Sequence, residues 1–306
     1  MHFSMTYPMH THPYNPELAT GAGVAALATA AETAGFAGFG FTDHPAPSQR
    51  WLDAGGHDAL DPFVAMGFAA AHTSTLRLIP NIVVLPYRNP FVVAKAGATL
   101  DLLSGGRFTL AVGVGYLKGE FAALGVDYQA RTAVFEESLA TIRAAWTTDD
   151  LSVDGAGFSA VGITAHPRPA SAPHPPIWIG GNTTAARVRV AAHGDGWCPF
   201  PAPARLARTA RTAALASVSS LAAAIDDLRR RCAAAGRDPS TVDVSFSNIT
   251  GGDPAAEDFD ADAYLAGVRE LEAVGVTWLQ VTIPGDSVRH AREVIDRFGS
   301  QVIARV

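Results

Sequence analysis

The stretch Leu76–Val112 reads LRLIPNIVVLPYRNPFVVAKAGATLDLLSGGRFTLAV and alternates between two structural patterns. Its first part, Leu76–Leu85, is a continuous apolar run that is typical of a buried parallel strand. Asn89-Pro90 then has the composition of a helix start, and Gly105-Gly106 has that of a helix end. The next run, Arg107–Val112, is again apolar. The order predicts a strand, a helix and a second strand parallel to the first.

The same alternation repeats along the chain. Counting Phe3–Met5 as the first strand gives eight strand-helix units in 306 residues. An open dinucleotide-binding sheet would have fewer units and a glycine-rich turn after its first strand, where this chain has Pro8–Pro13. We therefore expect one α/β domain over residues 1–306, a (β/α)8 TIM barrel with insertions in its strand-to-helix loops. The irregular stretches that we interpret as insertions are residues 45–60, 147–176 and 199–216.

Composition and charge limit the function classes. Apolar residues make up 48% of the chain and charged residues 17%, which predicts a large core and no extended disorder. The net charge of −6 disfavours nucleic acid or an anionic membrane as the partner. Two distant cysteines form no disulfide framework, and the sequence has no signal-peptide pattern and no 18-residue apolar run. We expect a cytoplasmic protein that acts on a small molecule.

In a barrel of this kind the active site lies in the loops that follow the strands. Asp43 and His44 follow the second predicted strand, so a carboxylate and an imidazole suited to proton transfer lie at the barrel mouth. The alternative is that Asp43 caps the loop and His44 is a surface residue. Asn81 is a polar residue inside an apolar strand, and its partners could be backbone groups or the polar edge of a flat heterocycle.

Two glycine-containing loops follow the fourth and fifth predicted strands. Gly113-Val114-Gly115 and the segment Gly180–Thr183 would both allow the backbone to approach a ligand closely. The second segment leads into a helix, whose free N–H groups and positive dipole end suit a phosphate. Tight strand-to-helix turns without a ligand are the alternative for both.

Several other catalytic classes lack their residues. His10 and His12 suggest a metal pair, but no further ligand lies at a recognisable spacing, so we expect no metal. The chain has no GxSxG nucleophile motif and no lysine on a predicted strand that could form a Schiff base.

The sequence as a whole resembles the bacterial luciferase-like oxidoreductases, and within them the branch that uses the deazaflavin coenzyme F420. The segments that carry the resemblance are FTDH (Phe41–His44), Leu85–Tyr116, KGEF (Lys118–Phe121), PPIWIGGNT (Pro175–Thr183) and GDGW (Gly194–Trp197). The resemblance implies a barrel with a cofactor across its mouth, and a homodimer. The chain differs from this branch at one position, because Tyr116 stands where the sugar-phosphate dehydrogenases have Glu. We therefore do not predict a sugar-phosphate substrate.

By the same resemblance, His44 is the catalytic residue that donates or accepts a proton, and a non-prolyl cis peptide joins Asn81 to Ile82 behind the deazaflavin ring. We also expect a negative charge on Asp43 to favour the protonated form of His44. The expected cofactor-binding residues are Asp43, Asn81, Ile82, Gly113, Gly115, Gly180, Gly181, Asn182 and Thr183.

The expected activity is hydride transfer between C5 of F420 and a small organic substrate. The alternatives are a monooxygenase of the same superfamily that uses reduced FMN, and a flavin or deazaflavin carrier without catalysis. F420 has an anionic oligoglutamate tail, and the candidates for binding it are Arg50, Arg88, Arg187, Arg205 and Arg208. Large side chains predicted at the mouth indicate a hydrophobic or aromatic substrate; they are Met9, Tyr14, Trp51, Phe63, Tyr87, Tyr116, Trp197 and Phe200.

Overall fold

The computed structural model describes residues 1–209 and 211–306 and contains two sheets. One is a parallel sheet of nine strands, and the other is a two-stranded antiparallel sheet. The strands are β1 (His2–Thr6), β2 (Gly38–Gly40), β3 (Arg77–Leu78), β4 (Val83–Val84), β5 (Leu110–Gly113), β6 (Leu151–Gly155), β7 (Phe158–Ile163), β8 (Ile177–Gly180), β9 (Gly196–Cys198), β10 (Asp243–Ser247) and β11 (Trp278–Val281).

Helices follow the strands of the parallel sheet, as the sequence pattern predicts. They are α1 (Gly21–Thr33), α2 (Gln49–Asp53), α3 (Pro62–Ala70), α4 (Pro90–Ser104), α5 (Lys118–Ala123), α6 (Arg131–Thr147), α7 (Thr184–His193), α8 (Ala204–Thr209), α9 (Val218–Ala234), α10 (Ala261–Val274) and α11 (Val288–Gln301). The predicted start of α4 is confirmed, since the Asn89 side chain accepts the N–H of Phe91 at 2.9 Å. Its predicted end is also confirmed, with Gly105 in the left-handed conformation at φ 70°.

The parallel sheet has the strand order β3-β2-β1-β11-β10-β9-β8-β5-β4. The predicted strand Leu76–Leu85 is interrupted, because the Asn81–Ile82 peptide lies between β3 and β4. Leu78 of β3 also forms a parallel bridge with Phe108, just before β5. The Leu78 N–H donates to the Arg107 carbonyl at 2.8 Å, so β3 also contacts the segment that leads into β5.

The core lies inside the sheet and between the sheet and its helices. Phe39 and Trp197 are fully buried on the strands. On α6, the predicted stripe of Phe135, Leu139, Ile142 and Trp146 is buried to at least 98%. Burying one such apolar side chain contributes about 1.5–3 kcal/mol, so this stripe holds α6 against the sheet.

The predicted insertions have more structure than the sequence indicates. Residues 147–176 are not irregular throughout, because they contain the β6–β7 hairpin, whose turn has Gly157 at φ 85°. Residues 45–60 contain α2, and 199–216 contain α8; Ala210, inside this last stretch, lies outside the described residues. In the part of the chain that the structure describes, no helix has the length and apolar character needed to cross a membrane.

Candidate functional site

A cavity of about 480 Å³ opens at the carboxyl ends of the parallel strands. A cavity of this size is within the usual range for small-molecule sites. Its lining includes most of the predicted site residues, which come from four separate segments of the chain: Asp43, His44, Asn81, Ile82, Gly113, Gly115, Gly180, Gly181 and Thr183. The fold therefore brings together side chains that are distant in sequence.

Asn182 is the predicted site residue that does not line the cavity. Its side chain is buried and accepts the N–H of Phe200 at 3.0 Å. It also donates to the carbonyl of Phe200 at 2.9 Å and to that of Ala213 at 3.2 Å. Asn182 thus fixes the loop after β9, which contributes Phe200 to the cavity wall.

The floor of the cavity is formed around the Asn81–Ile82 peptide, which is cis, as the resemblance implies. Asn81 finds protein partners, because its N–H donates to the Phe41 carbonyl at 2.9 Å and its amide donates to Thr6 Oγ1 at 3.0 Å. A Cβ on Gly113 would lie 2.1 Å from Ile82 Cδ1, and one on Gly180 would lie 2.9 Å from it. These glycines leave the space that the Ile82 side chain occupies.

Asp43 is buried and its carboxylate is fully engaged by protein groups. It accepts the Val84 N–H at 2.9 Å and forms a two-pronged ion pair with Arg88, in which Nη2 donates to Oδ1 at 2.8 Å. These bonds engage the Asp43 carboxylate with Arg88 and Val84, and none of its hydrogen bonds in the described residues goes to His44.

His44 pairs with a different carboxylate, that of Glu120. His44 Nδ1 lies 3.1 Å from Glu120 Oε2, and the Glu120 side chain is fully buried. Glu120 also accepts the Tyr87 hydroxyl at 2.9 Å and the Ala46 N–H at 3.2 Å. Burial raises the pKa of Tyr87, and the Glu120 charge raises it further, so this hydroxyl remains a donor. Since a carboxylate only accepts, Nδ1 of His44 carries a hydrogen, and Nε2 is its second polar atom.

Aromatic rings surround His44. The Trp51 ring centroid lies 4.7 Å from that of His44, and the Tyr116 centroid lies 6.3 Å from it. Burial raises the pKa of Tyr116 to about 12, so its hydroxyl stays protonated. The wall beside His44 is therefore flat, apolar and able to offer a hydrogen-bond donor.

Two further histidines line the same cavity. His57 packs edge-on against His44, with centroids 5.0 Å apart, and its Nδ1 lies 2.9 Å from the Asp58 carbonyl. Burial lowers the pKa of His57. Burial, together with the nearby His57, also lowers the pKa of His10 to about 4. Among residues 1–209 and 211–306, no cluster of His, Cys, Asp or Glu is arranged to hold a metal ion.

Three arginines also line the cavity. Arg131 stacks on Tyr128, with its guanidinium carbon 3.9 Å from the ring centroid, and its buried Nε has no partner among the described residues. Arg211 donates to the Tyr128 hydroxyl at 3.0 Å. Arg189 also lines the cavity and pairs with Glu136. The first turn of α7 contributes Ala186, and the Thr183 hydroxyl caps this helix by accepting the Ala186 N–H at 3.2 Å.

A model of the luciferase-like monooxygenase family matches residues 1–293. The chain belongs to this family. A match to residues 1–293 covers nearly the full length of the chain, including every strand of the parallel sheet.

Relatives of this luciferase-like chain use two different cofactors. An F420-dependent glucose-6-phosphate dehydrogenase of Beutenbergia cavernae is 37% identical over 172 residues, which are 55% of this chain and 49% of that protein. An FMNH2-dependent dimethylsulfone monooxygenase of Pseudomonas putida is 30% identical over 169 residues, 54% of this chain and 42% of that protein. The matches thus span about half the length of these curated relatives.

The fold is similar to that of a solved monooxygenase structure. The crystal structure of monooxygenase RslO1 from Streptomyces bottropensis superposes with a TM-score of 0.80 and 20% identity, covering 100% of this chain and 99% of that one.

Several features of the candidate site are not evident from the sequence. Glu120 belongs to the KGEF segment, but only the tertiary structure shows that it, and not Asp43, contacts His44. None of the arginines expected to bind a tail lines the cavity: Arg88 bonds to Asp43 and Asp61, and Arg187 bonds to Asp227. Of the large side chains predicted at the mouth, Tyr116 and Phe200 line it.

Proposed function

We propose that this luciferase-like chain is an F420-dependent oxidoreductase that acts on a small, mainly apolar organic substrate. The observation that carries the proposal is a group of cations around one tyrosine at the edge of the cavity. Lys118 Nζ lies 5.2 Å from the Tyr128 ring centroid, and the Arg131 and Arg211 guanidinium carbons lie 3.9 and 5.7 Å from it. None of the three forms an ion pair within the described part of the chain.

The residues of the cavity fit the parts of this cofactor. A flat ring suits the apolar floor formed by Ile82 between Gly113 and Gly180. A phosphate suits the capped N-terminus of α7 together with the unpartnered Nε of Arg131. The anionic tail of F420 suits the cations around Tyr128. FMN has no such tail and would leave these cations without a partner.

The chain's own residues supply proton handling and exclusion of water. When F420 is bound, the chemistry that it supplies is hydride exchange with the substrate. His44 holds or releases the accompanying proton at Nε2, because its Nδ1 is bonded to Glu120. Glu120 fixes the imidazole and balances its charge when it is protonated. Trp51 and Tyr116 cover the imidazole and limit the access of water.

A monooxygenase that uses reduced FMN is the second candidate. It is favoured by the dimethylsulfone monooxygenase relative, and by the fact that the floor and the α7 end would hold FMN equally well. A carrier without catalysis would have no use for the buried pair of His44 and Glu120. We also propose that β3 and β4 form one interrupted strand of a closed eight-stranded barrel, which the bridge from Leu78 to Phe108 supports.

The test is a set of absorbance titrations of the purified protein with F420, with F420 that lacks its glutamate tail, and with FMN. We expect F420 to bind most tightly. Arg211→Gln should weaken F420 binding by roughly two- to fivefold and have less effect on the tail-free form, since Arg211 is exposed and an exposed charge pair is worth up to about 1 kcal/mol.

The matched control is Arg208→Gln, because Arg208 does not line the cavity and should not affect any of the titrations. Tighter binding of FMN than of F420, with oxygen consumption in the presence of reduced FMN, would favour the second candidate.

A further inference from the structure

Three imidazoles line the cavity: His10, His57 and His44. Two of them are outside the pair that handles the proton, and each has a polar atom that protein groups leave free. His10 Nε2 is buried and has no partner among the described residues. Burying a polar atom without a hydrogen bond costs about 1–3 kcal/mol, so this part of the cavity is prepared for a ligand atom that His10 can bond.

The hydrogen bonding of His57 defines what it offers. Its Nδ1 lies 2.9 Å from the Asp58 carbonyl, which can only accept, so Nδ1 carries the hydrogen. Burial lowers the pKa of His57, and that of His10 is lowered to about 4, so both rings are neutral near pH 7. A neutral His57 with hydrogen at Nδ1 has a lone pair at Nε2 and is therefore an acceptor. His10 Nε2, which no protein acceptor occupies, can take the opposite role of donor.

We propose that His10 and His57 are a recognition site for an uncharged hydroxyl group of the substrate. A hydroxyl matches the pair because it donates one hydrogen bond and accepts others. This inference rests on the proposed function, since it assigns the substrate-binding part of the same cavity. The two histidines select the substrate, while His44 handles the proton.

Charged groups fit this part of the cavity less well. A substrate carboxylate would add a second negative charge beside buried Glu120, and both neutral imidazoles would have to be protonated against the cost of burial to balance it. A substrate ammonium would meet a Glu120 carboxylate that already bonds to His44, Tyr87 and Ala46. The ring of Tyr116, which lines the cavity beside His44, suits an apolar or aromatic body attached to the hydroxyl.

The experiment measures how tightly the protein binds three probes that share one shape and differ in charge. Benzyl alcohol, benzylamine and benzoate are titrated at pH 7.5, and the imidazole signals of the histidine-labelled protein are followed by NMR. Benzyl alcohol should shift the signals of His10 and His57 and bind at least about tenfold more tightly than either charged probe. His10→Phe should lower the affinity for benzyl alcohol by about two- to tenfold, the value of one neutral hydrogen bond.

The matched control is His72→Phe, because His72 is exposed on the protein surface outside the cavity and should leave the affinity unchanged. His57→Phe gives a second test if His10→Phe does not fold, which thermal unfolding checks. The proposal is overturned if benzoate or benzylamine binds as tightly as benzyl alcohol, if no probe binds, or if both folded variants keep the full affinity. F420 titrations of the same samples distinguish failure of this inference from failure of the proposed function. If F420 binds but benzyl alcohol is not preferred over the charged probes, only this inference is overturned. If F420 does not bind, the proposed function is overturned.

Discussion

Replacing Asp43 by Asn tests whether this carboxylate has a structural role at the cavity. The Asp43 side chain is 1% exposed, and it binds the Arg88 guanidinium through both oxygens and the Val84 N–H through one. An Asn amide would place an NH2 group against groups that are all donors, and Arg88 would lose its buried counter-charge. Breaking a buried pair typically costs 3–5 kcal/mol. Because Arg88 keeps a second partner, Asp61 at 3.2 Å, we expect a loss of about 3 kcal/mol.

The assay is equilibrium urea unfolding of wild type and Asp43→Asn, supported by the melting temperature, which should fall by roughly 5–10 °C. Asp61→Asn is the matched control: it removes the other carboxylate of the same Arg88, but Asp61 is 48% exposed, so the loss should stay below about 1 kcal/mol. Asp43→Asn combined with Arg88→Met should recover part of the stability, because no unpaired charge remains. If the free energy of unfolding falls by less than 1 kcal/mol for Asp43→Asn, or by equal amounts for the two Asn variants, Asp43 is not the buried counter-charge of Arg88.

Three further outcomes follow from the site. His44→Gln should lower turnover by about 10²–10⁴-fold while F420 affinity changes little. Steady-state kinetics and a binding titration measure the two effects, and an equal loss of turnover and affinity would contradict the proton role. In the folded protein the pKa of His10 is lowered to about 4, from an ordinary value of 6.5. As the pH falls, His10 is therefore protonated in the unfolded chain before it is protonated in the folded protein. The free energy of unfolding should not depend on His10 above pH 6.5 and should decline by roughly 3 kcal/mol towards pH 4. Urea unfolding of His10→Phe at several pH values should lack that decline, and an unchanged pH dependence would show that His10 is not buried as a neutral ring. Gly113→Ala places a Cβ 2.1 Å from Ile82 Cδ1, so it should destabilise the protein by about 1–3 kcal/mol and weaken cofactor binding, whereas Gly67→Ala meets nothing within 4 Å and serves as the control.

The parallel sheet and its helices could be predicted because their signals are local. A buried parallel strand is apolar throughout, and a helix on a sheet has an apolar stripe, as Phe135 and Leu139 show on α6. The interruption between β3 and β4 and the β6–β7 hairpin could not be read in the same way. The first depends on the packing of Ile82 against Gly113 from another strand, and the second consists of two short strands in which only Ala160 is buried.

The position of the site could be predicted because loops after parallel strands meet at one end of the sheet. The partners within the site could not. Asp43 and His44 are adjacent in sequence, yet Asp43 contacts Arg88 and His44 contacts Glu120, which is 76 residues away. Likewise, the sequence does not show which arginines form ion pairs. In the fold, Arg187 pairs with Asp227.

A crystal structure of the chain with F420 would show whether the converging strand ends hold a flat redox ring and its phosphate. We expect the ring in contact with Ile82 and the phosphate beside Thr183 and Arg131. Cofactor density outside this cavity, or a phosphate beside His10 and His57, would contradict this expectation.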